Sequence, residues 1–213
     1  MLTERAPAIM RATFWARKFL MRSWRTECFV VGFMIIALQD RAAADESLDS
    51  LMQSMANRHH GRAAFTERQF IALLKAPVDS SGDLYFRAPD HLEKITRVPV
   101  QESLVIERDT LTVTRGATHH SLPLRAYPQF GAFIDSIRAT LAGDRSALEK
   151  TYALTFASEG NRWSLLLTPR DKKVGNVVRQ IHIAGEGDSI DVVETVRPDG
   201  DRSVMTITEL PDT

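Results

Sequence analysis

Apolar residues recur along this chain with two different periods. From Ser47 to Asn57 they fall at Leu48, Leu51, Met52 and Met55, the spacing of a one-sided helix. Phe65 to Leu74 reads as a strand, mixed polar and aromatic at first and then apolar on both faces through Ile71-Ala72-Leu73-Leu74, as in a central or covered strand. Ser81-Gly82-Asp83 is a turn signal, since glycine supplies positive φ and aspartate bonds its own backbone. Leu84-Tyr85-Phe86 follow as a strand arm that Pro89 ends or bends, and the next strand starts at His91 and runs to Val98. Glu102–Arg108 and Thr110–Arg115 make a hairpin about Arg108-Asp109, with Leu104 and Ile106 on one face and Leu111 and Val113 on one face. His119–Leu124 is a short strand that Pro123 confines to an edge.

The period changes to helical at Pro128–Ala142. Proline suits the first turn and Gly143 the C-terminal cap, and Phe130, Phe133, Ile134, Ile137 and Leu141 form one stripe. Asp144 can cap a second short helix through Lys150. Strands return at Tyr152–Ser158, Trp163–Thr168, Val177–Ala184, Ser189–Val196 and Ser203–Leu210, separated by Gly/Asp turns. Short strands at this spacing predict an antiparallel meander, curled or barrel-like, with amphipathic helices: mainly β with helices, an α+β fold.

Residues 1–27 hold six basic residues against two acidic ones, Cys28–Leu38 is an eleven-residue apolar run, and Ala42-Ala43-Ala44 follows. Basic, apolar, then A-x-A is the order of a secretory signal, and the run is too short to span a bilayer. The expected organisation is a signal peptide over 1–44 and one domain over 45–213, located in the periplasm. Residues 25–27 lack the small and aliphatic residues that precede a lipid-modified cysteine. The first 44 residues hold seven of the 27 basic and three of the 27 acidic residues, so the remainder carries 20 and 24, a net charge near −4. That balance disfavours nucleic acid and anionic lipid surfaces as partners. The single cysteine leaves with the signal, and a chain of this length can rely on its hydrophobic core.

Signatures of common chemistry are missing: there is no G-x-S-x-G, H-E-x-x-H, Walker loop or G-x-G-x-x-G. The pairs His59-His60 and His119-His120 place one imidazole on each face of a strand, and are read as strand-end histidines rather than metal ligands. Glu102 with Glu107, and Asp199 with Asp201, are assigned to solvated faces and turns. No cofactor and no enzymatic activity are expected, although carboxylates converging from distant strands leave a hydrolase open.

Several segments, in shared order, resemble the periplasmic outer-membrane lipoprotein carrier family, the LolA-like proteins. Gly82-Asp83-Leu84-Tyr85-Phe86-Arg87-Ala88-Pro89 is similar to that family's strand leading into a proline, and Phe65-Thr66-Glu67 to its first-strand pattern. Pro99–Val105, Trp163–Pro169, Arg179–Ile183 and the turn Asp199–Ser203 resemble later segments. The resemblance implies an unclosed, strongly curved antiparallel β-sheet, a half-barrel covered by amphipathic helices, with an apolar cavity between them for acyl chains. It also implies an arginine before the proline that latches the helical lid. Ala88 stands there, and Arg87 falls on the other face.

On this reading the cavity is lined by Phe70, Leu84, Phe86, Leu92, Leu104, Ile106, Leu111, Val113, Trp163, Leu165 and Leu167. The lid stripes are Leu48, Leu51, Met52 and Met55 on one helix, and Phe130, Phe133, Ile134, Ile137 and Leu141 on the other. The alternative is that these side chains fill a solid core. The expected protein is a monomeric carrier that shields acyl chains of a lipid or lipoprotein, with an inner-membrane donor and an outer-membrane acceptor as partners. A periplasmic sensory or regulatory binding domain of the same fold is the competing reading.

Overall fold

The computed structural model describes residues 47–211, apart from the Gln129 side chain. They lie in one compact unit, Asp40–Thr213. The expected signal segment lies outside the described residues. A first helix, α1, occupies residues 47–56. Six strands follow: β1 (His60–Phe70), β2 (Val78–Arg87), β3 (His91–Val98), β4 (Glu102–Glu107), β5 (Thr110–Arg115) and β6 (Thr118–Pro123). A 3₁₀ turn (Leu124–Ala126) leads into α2 (Pro128–Leu141) and α3 (Arg145–Thr151). The chain ends with β7 (Tyr152–Glu159), β8 (Arg162–Pro169), a short helix α4 (Lys172–Gly175), β9 (Gln180–Glu186), β10 (Ser189–Val196) and β11 (Arg202–Glu209).

The strands form one antiparallel sheet of eleven in the order β6-β5-β4-β3-β2-β1-β11-β10-β9-β8-β7. Its two edges, β6 and β7, are consecutive strands in the chain, and the segment joining them is the one that carries α2 and α3. Laid flat, eleven strands measure about 48 Å from edge to edge, while a helix of this length is about 21 Å long. Yet α2 touches both halves: Arg138 donates to the carbonyl of Asp90 in the β2–β3 turn, and the Tyr152 hydroxyl of β7 donates to the Ala132 carbonyl. The sheet is therefore strongly curved and unclosed, with α2 on its concave side.

Local chemistry explains the helix ends. Asp144 Oδ1 accepts from the Ala147 N–H at 2.9 Å and caps α3. Gly143 takes φ +63, and a Cβ there would collide with the Met52 carbonyl, so the end of α2 packs directly against α1.

Three expectations change. Strand β1 stops at Phe70 because Arg202 and Val78, which begin β11 and β2, are the last partners available. Ile71–Leu74 is thus a protruding turn rather than a covered strand, with Leu73 95% exposed and the Ala72 N–H held by Asp201 Oδ1. Ser81-Gly82-Asp83 lies within β2, not in a turn. Gly82 is there for close approach, since any Cβ would collide with the Ile95 carbonyl of the neighbouring strand. Residues 177–179 precede β9, because α4, capped by Asp171 Oδ1 on the Lys173 N–H at 2.6 Å, occupies the start of that segment.

Candidate functional site: a cavity between the concave face and helix α2

The strand register defines one continuous inward face. Gly61, Ala63, Phe65 and Glu67 on β1 stand beside Phe86, Leu84, Gly82 and Ser80 on β2. The face continues through Leu92 and Lys94, then Ile106 and Leu104, then Leu111 and Val113. In the other direction it passes through Met205 and Ile207, Val193, Ile183 and Ile181, to Leu165 and Leu167. A bulge at Asp191 lets Ile190 and Val193, three residues apart, both face inward. The outward face carries ion pairs such as Arg68–Asp79 at 2.7 Å and Arg202–Glu194 at 3.2 Å.

Helices divide this inward face into two halves. Over β7–β9, the stripe Leu48, Leu51, Met52 and Met55 of α1 packs into a closed core with Trp163, Leu165, Leu167, Ile181 and Ile183. Over the β1–β5 half, a cavity of about 780 Å³ remains between sheet and α2, within the range of about 300–1,000 Å³ usual for small-molecule sites. Leu84, Phe86, Leu92, Leu104, Ile106 and Leu111 form its floor, and Phe130, Phe133, Ile134, Ile137 and Leu141 of α2 form its roof. Ile181, Ile183, Ile190, Val193, Met205 and Ile207 close the side toward the core.

The structure therefore gathers six of the eleven expected floor residues, and all five from the α2 stripe. Trp163, Leu165 and Leu167 face inward but are sealed under α1; the Trp163 Nε1–H donates to the Gly187 carbonyl at 2.9 Å. The α1 residues Leu48, Leu51, Met52 and Met55 are likewise core, not cavity roof, because they pack with the inward residues of β8 and β9 in one closed cluster. Val113 faces inward beside Leu104 but lies outside the cavity wall, next to edge residue His120. Phe70 sits on the outward face, beneath the Arg202 guanidinium at 4.5 Å from its ring centre. It is five residues from Phe65, an odd separation that alternation puts on the opposite side.

A polar group interrupts the apolar wall. Glu67 is buried, and its carboxylate accepts from Lys94 Nζ at 2.5 Å, Ser203 Oγ at 2.5 Å and Ser80 Oγ at 3.4 Å. The Lys94 ammonium also lies 4.8 Å from the centre of the Phe65 ring. Burial pushes the Glu67 carboxyl up, but the charge of Lys94 and hydrogen bonds from Lys94, Ser203 and Gln69 outweigh it and hold it below its ordinary value, so it is ionised. Sequence reasoning passed over this pair, although both residues sit at inward positions, two places from Phe65 and Leu92. It also passed over Arg138. That side chain is largely covered, and it ties α2 to the β2–β3 and β4–β5 turns through the carbonyls of Asp90 (3.1 Å) and Arg108, with Asp135 at 3.6 Å. The glutamates and aspartates expected on solvated faces divide: Glu102 pairs with Arg115, whereas Asp201 is buried and bonded to Arg197 as well as to Ala72. Among the described residues, no three acidic, histidine or cysteine side chains cluster as metal ligands, and no helix is long and apolar enough to cross a membrane.

No curated protein matches this chain. Among solved structures, it is similar to the LolA superfamily protein NE2245 from Nitrosomonas europaea at 11% identity, over 80% of this chain and 94% of that one, with a TM-score of 0.42. A putative outer membrane lipoprotein-sorting protein domain from Vibrio parahaemolyticus matches at 10% identity over 78% and 93%, with a TM-score of 0.39. The Pseudomonas aeruginosa MucA/MucB complex matches at 12% identity over 78% of this chain and 59% of that chain, with a TM-score of 0.44. A family model, described as outer membrane lipoprotein carrier protein LolA-like, matches residues 41–208, a stretch that holds the whole of α2 and every strand of the curved sheet except the last residue of β11. With an unclosed antiparallel sheet, a helical roof and that match over most of its length, the chain belongs to the LolA-like family of outer membrane lipoprotein carrier proteins.

Proposed function

We propose that this protein is a periplasmic carrier that shields the acyl chains of a lipid or lipoprotein and hands them to an acceptor without covalent chemistry. The observation that carries this reading is the apolar cavity of about 780 Å³ between the β1–β5 half of the concave face and α2. Burying a methylene is worth about 0.8 kcal/mol, so a sixteen-carbon chain represents on the order of 12 kcal/mol gross. Such a chain does not leave into water at a useful rate, and release requires an acceptor docked at the cavity. Removal of residues 1–44 before function completes the reading, with Asp45 as the new N-terminus and residues 45–213 as the working domain.

Native mass spectrometry of the protein purified from its own periplasm tests the proposal. The expected spectrum shows a chain beginning at Asp45, with added mass from a bound lipid or lipoprotein. A bare polypeptide that also fails to take up a fluorescent fatty acid would sink the carrier reading. A bare polypeptide held by a protein partner would favour the sensory one.

Arg138 supplies a test of how the roof opens. Its guanidinium joins α2 to two sheet turns through charge-assisted hydrogen bonds. Arg138→Met keeps the length of the side chain and drops both bonds, while water can replace them at the turns. Release of a loaded fluorescent fatty acid is expected to accelerate about tenfold, the scale of one or two such bonds. An unchanged release rate in stopped-flow measurements would show that α2 does not gate the cavity.

A further inference from the structure

We propose that the Glu67–Lys94 pair is a recognition point inside the cavity for an uncharged acyl carbonyl, the ester or amide group at the head of an acyl chain. This rests on the carrier reading and specifies its ligand.

The argument starts from what the pair does not do well. A buried ion pair is a weak stabilising device, since replacing one by apolar residues of similar volume is often neutral or favourable. Here it spans from β1 to β3 across β2, where the register alone already holds the strands. It also stands in the wall of an apolar cavity, where an unmatched polar group opposes the uptake of hydrocarbon. A carrier of bare chains gains nothing from it.

What the pair offers is donors. Glu67 is satisfied by Lys94, Ser203 and Ser80. Among the described residues, Glu67 is the sole hydrogen-bond partner recorded for the Lys94 ammonium, which has three donors, while the Phe65 ring covers one side of it. Lys94 lines the cavity between Leu84 and Leu104, so its remaining N–H groups are available to a ligand there. They require an acceptor. The adjacent carboxylate sets the charge: with ionised Glu67 at 2.5 Å, the positive charge of Lys94 is already balanced, and an anionic head would meet the carboxylate as well as the ammonium. A neutral carbonyl meets only the donor. The Thr195 hydroxyl, inward on β10 beside Ser203, adds polar surface at the same end. From Glu67 back to Gly61 the floor runs for six residues, about 20 Å at strand rise, among apolar side chains suited to the tail.

The test is a competition in native mass spectrometry. The mature protein is offered equal amounts of 1-monopalmitoylglycerol and 1-hexadecylglycerol, which share chain length and headgroup and differ in the carbonyl. The ester is expected to be bound about tenfold in preference to the ether, the effect of one hydrogen bond to a charged donor. Palmitoylethanolamide against the same ether shows whether an amide serves as well as an ester, which separates an N-acyl source from a glycerolipid source. In the double variant Lys94→Met with Glu67→Gln, which leaves no unpaired charge, the preference is expected to fall to about one. Equal binding of ester and ether by the parent overturns the inference and leaves the carrier reading intact. Preference for palmitate over monopalmitoylglycerol overturns it in favour of an anion site, and a folded double variant that keeps the preference overturns it too. Should the variant fail to fold, the parent comparison decides alone. A parent that binds none of these lipids removes the carrier reading, and this inference with it.

Discussion

Leu165→Glu is expected to leave the protein unfolded, whereas Ile106→Glu folds and no longer holds acyl ligands. Both leucine and isoleucine face inward from the same sheet. Leu165 is 0% exposed, enclosed by Met55, Leu148 and the neighbouring strands. A carboxylate there is desolvated with no cation beside it, at a cost of several kcal/mol against a total stability of about 5–15 kcal/mol. Ile106 is half-buried on the cavity wall between Leu92 and Leu111, where a carboxylate can stay hydrated. The same charge then opposes hydrocarbon in the cavity rather than the fold itself. Thermal melts beside a fatty-acid titration separate the two. Equal loss of melting temperature in both variants would mean that the β1–β5 half is core like the rest.

Gly61→Trp is expected to fold with a melting temperature close to the parent's and to lose acyl binding by at least about a hundredfold, the effect of filling the site with a side chain that covers 150–250 Å². Gly61 faces inward beside Phe86 on the cavity floor, and a Cβ built on it meets nothing within 4 Å. Its backbone is ordinary strand, in which an aromatic residue is favoured over glycine. The inward glycine of the next strand behaves oppositely. Gly82→Ala drives a Cβ into the Ile95 carbonyl and toward the Phe65 ring, so it destabilises without touching the cavity volume. Retained binding in a folded Gly61→Trp protein would place the ligand elsewhere.

Much of the architecture was legible because it depends on periods. Alternation alone puts Leu104 with Ile106, and Leu165 with Leu167, on single faces, and the structure keeps each pair together. The α2 stripe, its glycine end and the Asp144 cap are local effects of the same kind. The resemblance to the LolA-like family added curvature and the open edge, which no single strand encodes. Local signals misled where a neighbour mattered. Ser81-Gly82-Asp83 has turn composition, yet its glycine serves the close approach of β3. Ile71–Leu74 has strand composition, yet no strand reaches far enough to pair with it.

Backbone periods of 2 and 3.6 residues follow from the chain alone, and they settle which side chains share one face of a strand or helix. Which of those faces turns inward, and which inward residues close into core or stay open, is set by packing. That depends on where the helices dock: α1 seals Leu165 and Leu167, while α2 stands over Leu104 and Ile106 and leaves room beneath it. Packing decided the polar point of the cavity as well, since Glu67 and Lys94 lie 27 residues apart and meet only when β1, β2 and β3 pair in register. Contacts of that kind are set by the packing of whole elements, and no local pattern carries them.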